Sequence, residues 1–231
     1  MPKDFSRFEE HIGIEFKDKT LLRQAFTHRS YLNENKEAGF TDNERLEFLG
    51  DAVLQLAVTD HLFTLYPATS EGDLTSFRSA LVNTQTLSTL AASIGMNDFL
   101  LLSHGERKDT GRARTIILAD AFEALIGALY LDQGFSVAER FIAQKIFPLV
   151  AGVVAGKAWL DAKSRFQEAA QEHTSITPTY KTLKESGPDH NRIFTIGVYL
   201  GKELIASGEG VSKQEAEQEA AQKALTARGW D

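Results

Sequence analysis

Two rhythms divide the chain. Through residues 20–26, 44–66, 73–95 and 116–130, apolar side chains return every three or four positions, which predicts helices. The small-residue stretch VAGVVAG at Val150–Gly156 reads as a linker or a fraying helix end. Beyond it, residues 163–172 keep the helical period, but PTYKTLKES and NRIFTIGVYL read as strands. In the second of these, Phe194, Ile196, Val198 and Leu200 alternate onto one face. The breaker cluster GPDHN separates the two strands, and a third, KELIASGEG, leads into a last helix over residues 213–228. The pattern predicts an all-α domain over residues 1–150, a linker over 151–160 and a small α+β domain (α-β-β-β-α) over 161–229.

Composition narrows the class. At 231 residues, with 42% hydrophobic and 25% charged positions, the chain has the make-up of an ordinary globular protein. It has no cysteine, so disulfides and thiolate metal sites are excluded. The start MPKDFSRFEEHIG has no apolar core and does not read as a secretory signal, and FPLVAGVVAG is too short to span a bilayer. No membrane association is expected, and the location expected is cytoplasmic. The net charge of −7 argues on its face against a nucleic-acid partner. It is unevenly spread, however: residues 1–150 hold 15 Lys+Arg against 21 Asp+Glu, while residues 160–231 hold 9 against 11.

The surplus acid has a pattern. In NERLEFLGDAVL, Glu44, Glu47 and Asp51 fall within an arc of roughly 60° at 100° per residue, opposite Leu46, Leu49 and Val53. Like charges at this spacing destabilise a helix by a few tenths of a kcal/mol per pair. Gly50, a poor helix former, suggests that another backbone passes close by. A second pair, Asp120 and Glu123, interrupts an apolar run from 116 to 131, where charges are costly unless paired or bound to metal. Asp-x-x-Glu is also a capping box, which would start a helix at Asp120. Carboxylates on two helices together build an oxygen-rich site for Mg2+ or Mn2+, and two such ions can clamp an in-line phosphoryl transfer.

NERLEFLGD closely resembles the signature of the ribonuclease III family. LLRQAFTHRSYLNE upstream, EGDLTSFRSALVN in the middle and ILADAFEALIGALYLD downstream agree with it in order. The second unit resembles a double-stranded-RNA-binding domain, with KSRFQE, GPDHN and GEGVSKQEAEQEAA at matching places. The resemblance implies metal ligands at Glu47, Asp51, Asp120 and Glu123, with Asp51 and Glu123 catalytic, and supporting acids at Glu44 and Glu71. It implies an endoribonuclease that cuts both strands of an RNA duplex with Mg2+ (or Mn2+), leaving 5′-phosphate and 3′-hydroxyl ends with two-nucleotide 3′ overhangs. Ribosomal precursors and other structured RNAs, messengers among them, are the implied substrates. Metal-assisted hydrolysis needs neither the RNA 2′-hydroxyl nor a histidine pair, and the six histidines show no metal-binding spacing. No small-molecule cofactor is implied.

The family works as a homodimer, and Phe48 matches the aromatic residue that docks into the partner subunit; the alternative is an ordinary core phenylalanine. In the second domain the resemblance assigns RNA contacts to Ser164, Gln167, Glu168, His190 and Lys213, the last meeting phosphate at a helix start. Ser212-x-x-Glu215 reads as a capping box as well. Two departures stand out: Gln214 replaces a commonly basic residue, and Thr110 replaces the first glycine of a Gly-Gly pair. Arg107, Lys108, Arg112 and Arg114 make a basic loop that either touches phosphate or is merely solvated. His28, Arg29 and Ser30 read as structural, and Trp230 as frayed. A non-catalytic RNA-binding relative would lack one of the four carboxylates; all are present.

Overall fold

The computed structural model describes residues 3–35, 41–108, 110–156, 162–187 and 192–230, and the chain divides into two compact units, 1–159 and 160–231. The first is built from α1 (Ser6–Ile12), α2 (Lys19–Ala25), α3 (Arg29–Glu34), α4 (Glu44–Leu65), α5 (Glu71–Leu81), α6 (Thr84–Ser93), α7 (His104–Lys108), α8 (Arg112–Gln133), α9 (Phe135–Lys145) and α10 (Val150–Gly156). Its axis is α8, buried almost all round from Ile117 to Leu129 and packed by α2, α4, α6 and α9. A helix apolar on every side belongs at the centre of a bundle.

The period through 73–95 predicts one helix, yet two form. Asn83 adopts an extended conformation and its side chain accepts the Thr86 backbone N–H at 2.8 Å, capping α6. The apolar spacing continues across the break, so periodicity alone could not show it; the Asn cap was the available signal. The stretch read as a linker or fraying end is α10, whose Val150 is buried while Val153 and Val154 lie on the core. The basic loop is partly helical: α7 covers His104–Lys108, and Arg112 opens α8.

His28, Arg29 and Ser30 take the structural role expected of them. The His28 ring accepts the Ser30 N–H to cap α3, Ser30 Oγ accepts the Ser103 N–H at 3.1 Å, and Arg29 reaches Glu44 at 3.2 Å.

The second unit is α11 (Ala162–Thr174), an antiparallel sheet of β1 (Thr179–Ser186), β2 (Ile193–Leu200) and β3 (Glu203–Gly210), and α12 (Lys213–Arg228). Its core joins Phe166 and Ala170 of α11, Val198 and Leu200 of β2, and Ala220, Ala221, Ala224 and Leu225 of α12. Trp230 is not frayed. Gly229, at φ 67°, turns the chain back so that the Trp230 N–H bonds the Leu225 carbonyl at 3.0 Å, a helix-ending motif that glycine favours. The indole then stacks on Phe166 and His173, with centroids 5.7 and 4.9 Å away. His190 and Trp159 lie outside the described residues.

Candidate active site

Two glycines bring α4 and α8 together. A Cβ on Gly50 would stand 1.8 Å from the Glu123 carbonyl oxygen, and one on Gly127 would stand 2.2 Å from that of Leu46. Only hydrogen fits at either point, so the two backbones cross in contact. The close approach that Gly50 implies is present; its counterpart, Gly127, gives no such sign within the apolar run ALIGALY.

The crossing sets Glu47, three residues before Gly50, against Asp120 and Glu123. One carboxylate oxygen from each of the three lies within 4.8 Å of the others, and all three residues are half-buried. Asp120 sits eight residues inside α8, where every backbone N–H already has a helical partner, so it caps nothing. The capping reading of Asp120 is thereby overturned.

The cluster resists holding several negative charges. Burial pushes Glu123 up to about 8, with the charges of Asp51, Glu47 and Asp120 adding to the rise. Glu47 is raised to about 7, again by burial first, then by Asp120, Glu44 and Asp51. Asp120 is raised by burial. Convergent carboxylate oxygens that repel one another suit a hard divalent cation, which supplies the missing positive charge. The donor set therefore fits Mg2+ or Mn2+.

The remaining predicted acids take different places. Asp51 is exposed at the border of the cluster, accepts the Gln55 amide at 3.3 Å, and acts on Glu47 and Glu123 through its charge. Glu44 is held by Arg29. Glu71 opens α5 and lines a cavity of about 440 Å³ with Thr59, Phe63 and Arg78. Thr59 lies twelve residues along α4 from Glu47, about 18 Å at the helical rise. A single chain thus holds Glu71 apart from the three converging carboxylates.

Phe48 is 82% exposed, which rules out the core reading. With Leu56 and Phe63, the latter 71% exposed, it forms an apolar stripe within an arc of about 80° on α4. Beside Phe48 a cavity of about 890 Å³ is lined by Leu21, Leu32, Leu46, Leu49 and Leu131. The resemblance marks Phe48 alone for the surface; Leu56 and Phe63 are not legible as its continuation, because in the sequence they look like core.

In the second unit Ser164, Gln167 and Glu168 are exposed on α11. Ser212 Oγ accepts the Glu215 N–H at 3.2 Å, and the Glu215 carboxylate accepts the Val211 N–H at 2.9 Å, so the expected cap is formed there. Lys213 follows as the first residue of α12. In the first unit Arg107 and Arg114 line a cavity of about 550 Å³ with Lys3, and Arg114 is anchored on Asn97 and on the Glu106 carbonyl.

A family model described as Ribonuclease-III-like matches residues 18–150, and one for the double-stranded RNA binding motif matches residues 162–227. The chain belongs to the ribonuclease III family. It is a metal-dependent endoribonuclease with a nuclease domain and a double-stranded-RNA-binding domain. Among similar ribonuclease III proteins, Ribonuclease 3 of Bacillus velezensis is 47% identical over 96% of this chain and 89% of its own length. That of Enterococcus faecalis is 44% identical over 95% of each. The nuclease domain of Campylobacter jejuni ribonuclease III, whose dimer-forming region shows structural flexibility, is 42% identical, with a TM-score of 0.56; the match covers 63% of this chain and 99% of that one. No described helix is long and apolar enough to cross a membrane.

Proposed function

We propose that this protein cuts both strands of duplex RNA as a homodimer, leaving 5′-phosphate and 3′-hydroxyl ends with two-nucleotide 3′ overhangs, and that it processes ribosomal precursors and other structured RNAs in the cytoplasm. The observation that carries the reading is the convergence of Glu47, Asp120 and Glu123 at the glycine crossing. These three and Asp51 hold the cation, with Asp51 and Glu123 as the catalytic pair. The chemistry supplied by bound Mg2+, or by Mn2+ in its place, is activation of water for in-line attack and stabilisation of the leaving oxygen. Glu123, which keeps its proton to about pH 8 when no cation is present, gives that proton up as the cation is bound. Glu44 and Glu71 are supporting acids, and Glu71 contributes only once a duplex or second copy completes the site.

The homodimer reading rests on the exposed α4 stripe and the cavity beside Phe48. A second copy with the same features offers its own Phe48 in return, which is how a two-fold interface closes. Each protomer then cuts one strand, and two fixed centres make the cut staggered. Ser164, Gln167, Glu168, His190 and Lys213 bind the A-form duplex by its shape.

The test is cleavage of an end-labelled RNA duplex by the wild type and by Glu123→Gln, with Mg2+, with Mn2+ and with chelator. The expected result is Mg2+-dependent cutting to staggered 5′-phosphate products, lowered on the order of 10³-fold in the variant, about 4 kcal/mol, while binding is retained. A wild type that binds the duplex and never cuts it with either metal would make this a binding protein instead.

A further inference from the structure

The phosphate contact assigned to Lys213 is already occupied by the protein's own carboxylate. Lys213 Nζ lies 3.4 Å from Glu185 Oε1, and Arg192 reaches the other oxygen of the same carboxylate at 3.7 Å. Lys213 also stands over the Phe194 ring, 5.6 Å from its centroid. Glu185 and Phe194 are direct cross-strand partners in the β1–β2 ladder. The lysine therefore caps a pair formed by the sheet, and its position is set from two sides.

A fold irregularity puts Glu185 there. Side chains alternate along a strand, so Tyr180 and Thr182, opposite Val198 and Ile196, share the helix-facing side of β1 with every second residue after them. Continued without interruption, that alternation would bring Lys184 to the helix-facing side and send Glu185 to the outer one. The register shifts between Thr182 and Lys184, so Lys184 pairs with Thr195 and Glu185 with Phe194. The extra residue, Leu183, reverses the faces, as bulges do. An acid replaces a base beside the start of α12.

We propose that Glu185 is an affinity-setting residue for duplex RNA, a built-in counter-ion that RNA phosphate must displace from Lys213 and Arg192. The proposal rests on the reading that Lys213 meets phosphate. Once displaced, the carboxylate stays near the phosphates and offsets part of the attraction. Exposed ion pairs of this kind are worth up to about 1 kcal/mol, roughly fivefold in affinity. Because the freed carboxylate draws a cation back as phosphates lose theirs, it also flattens the salt dependence.

The experiment measures binding of the full chain to a labelled RNA duplex in chelator, across a salt series, for wild type, Glu185→Gln, Glu185→Ala, Lys213→Ala and Lys213→Ala/Glu185→Gln. Removing the carboxylate is expected to tighten binding two- to fivefold at low salt, as an order of magnitude for a surface pair, and to steepen the log–log salt slope by about one. Lys213→Ala alone weakens binding, and the gain from Glu185→Gln shrinks when Lys213 is absent. If Lys213→Ala weakens binding but both Glu185 variants bind no better than wild type, Glu185 is inert or positions the lysine; the proposal fails while the lysine assignment stands. If Lys213→Ala binds as the wild type does, the assignment itself fails and the proposal falls with it.

Discussion

Asp120-x-x-Glu123 and Ser212-x-x-Glu215 share one spacing and end in opposite roles. At Ser212 the chain has just left β3, so the first N–H groups of α12 have no partner, and side chains supply one. At Asp120 the helix is already two turns old, and its N–H groups are bonded. The Asp120–Glu123 pair is free to turn away from its own backbone, and what it meets is decided by α4 across the glycine crossing. The meaning of an acid three residues from a polar residue therefore depends on whether backbone donors are left over at that point.

The crossing that gives Asp120 and Glu123 their role is most sensitive at Gly50. Gly50→Ala sets a Cβ against backbone, which cannot rotate away as a side chain can. Overpacking costs about 1–3 kcal/mol, and the upper end is expected here. Moving the helices apart by about 1 Å would lower cleavage roughly 10²-fold. Gly152→Ala in α10, where an added Cβ meets nothing within 4 Å, should leave cleavage unchanged and stabilise the helix by about 0.5–1 kcal/mol. Thermal melting and single-turnover cleavage on the two variants separate the outcomes.

A smaller effect sharpens the electrostatic half. Without metal, Glu123 and Glu47 hold protons to about pH 8 and about 7, whereas the unfolded chain releases them near the ordinary 4.5. The folded state binds more protons in that interval, so this contribution to stability is fully present below 4.5 and is lost as pH rises through about 8. In chelator the melting temperature should fall by a few degrees between about pH 6 and about 8.5, at roughly 2–4 °C per kcal/mol. Added Mn2+ should restore it, and Glu123→Gln should remove much of the slope. A chelated wild type whose melting temperature rises over that range would contradict the crowded cluster.

Much of this was legible beforehand, for identifiable reasons. The acid face of α4 shows in the sequence because three charges share an arc, and Gly50 marks the crossing because glycine is otherwise unwelcome in a helix. The partner glycine did not show, since Gly127 among alanines and leucines looks like any small core residue. The α5–α6 break was hidden by an apolar period that runs straight through it. The ordered place of Trp230 is hidden because position near a terminus says nothing of packing; the αL turn at Gly229 is what returns it to Phe166. Leu56 and Phe63 carry the pattern of core, and only their exposure joins them to the surface that the resemblance marks at Phe48.

Single substitutions in the two motifs differ by a smaller margin. Ser212→Ala removes an acceptor that the Glu215 N–H needs, and losing such a cap costs about 1 kcal/mol, within a range of roughly 0.5–2. Asp120→Ala removes no cap. In chelator it removes one member of a crowded set of carboxylates, so stability should hold or rise, even though metal binding is lost. Urea denaturation in chelator at about pH 8 should put Ser212→Ala below wild type and Asp120→Ala level with it or above. If both lost stability alike, Asp120 would be serving its helix rather than a cation, and the distinction between the two motifs would collapse.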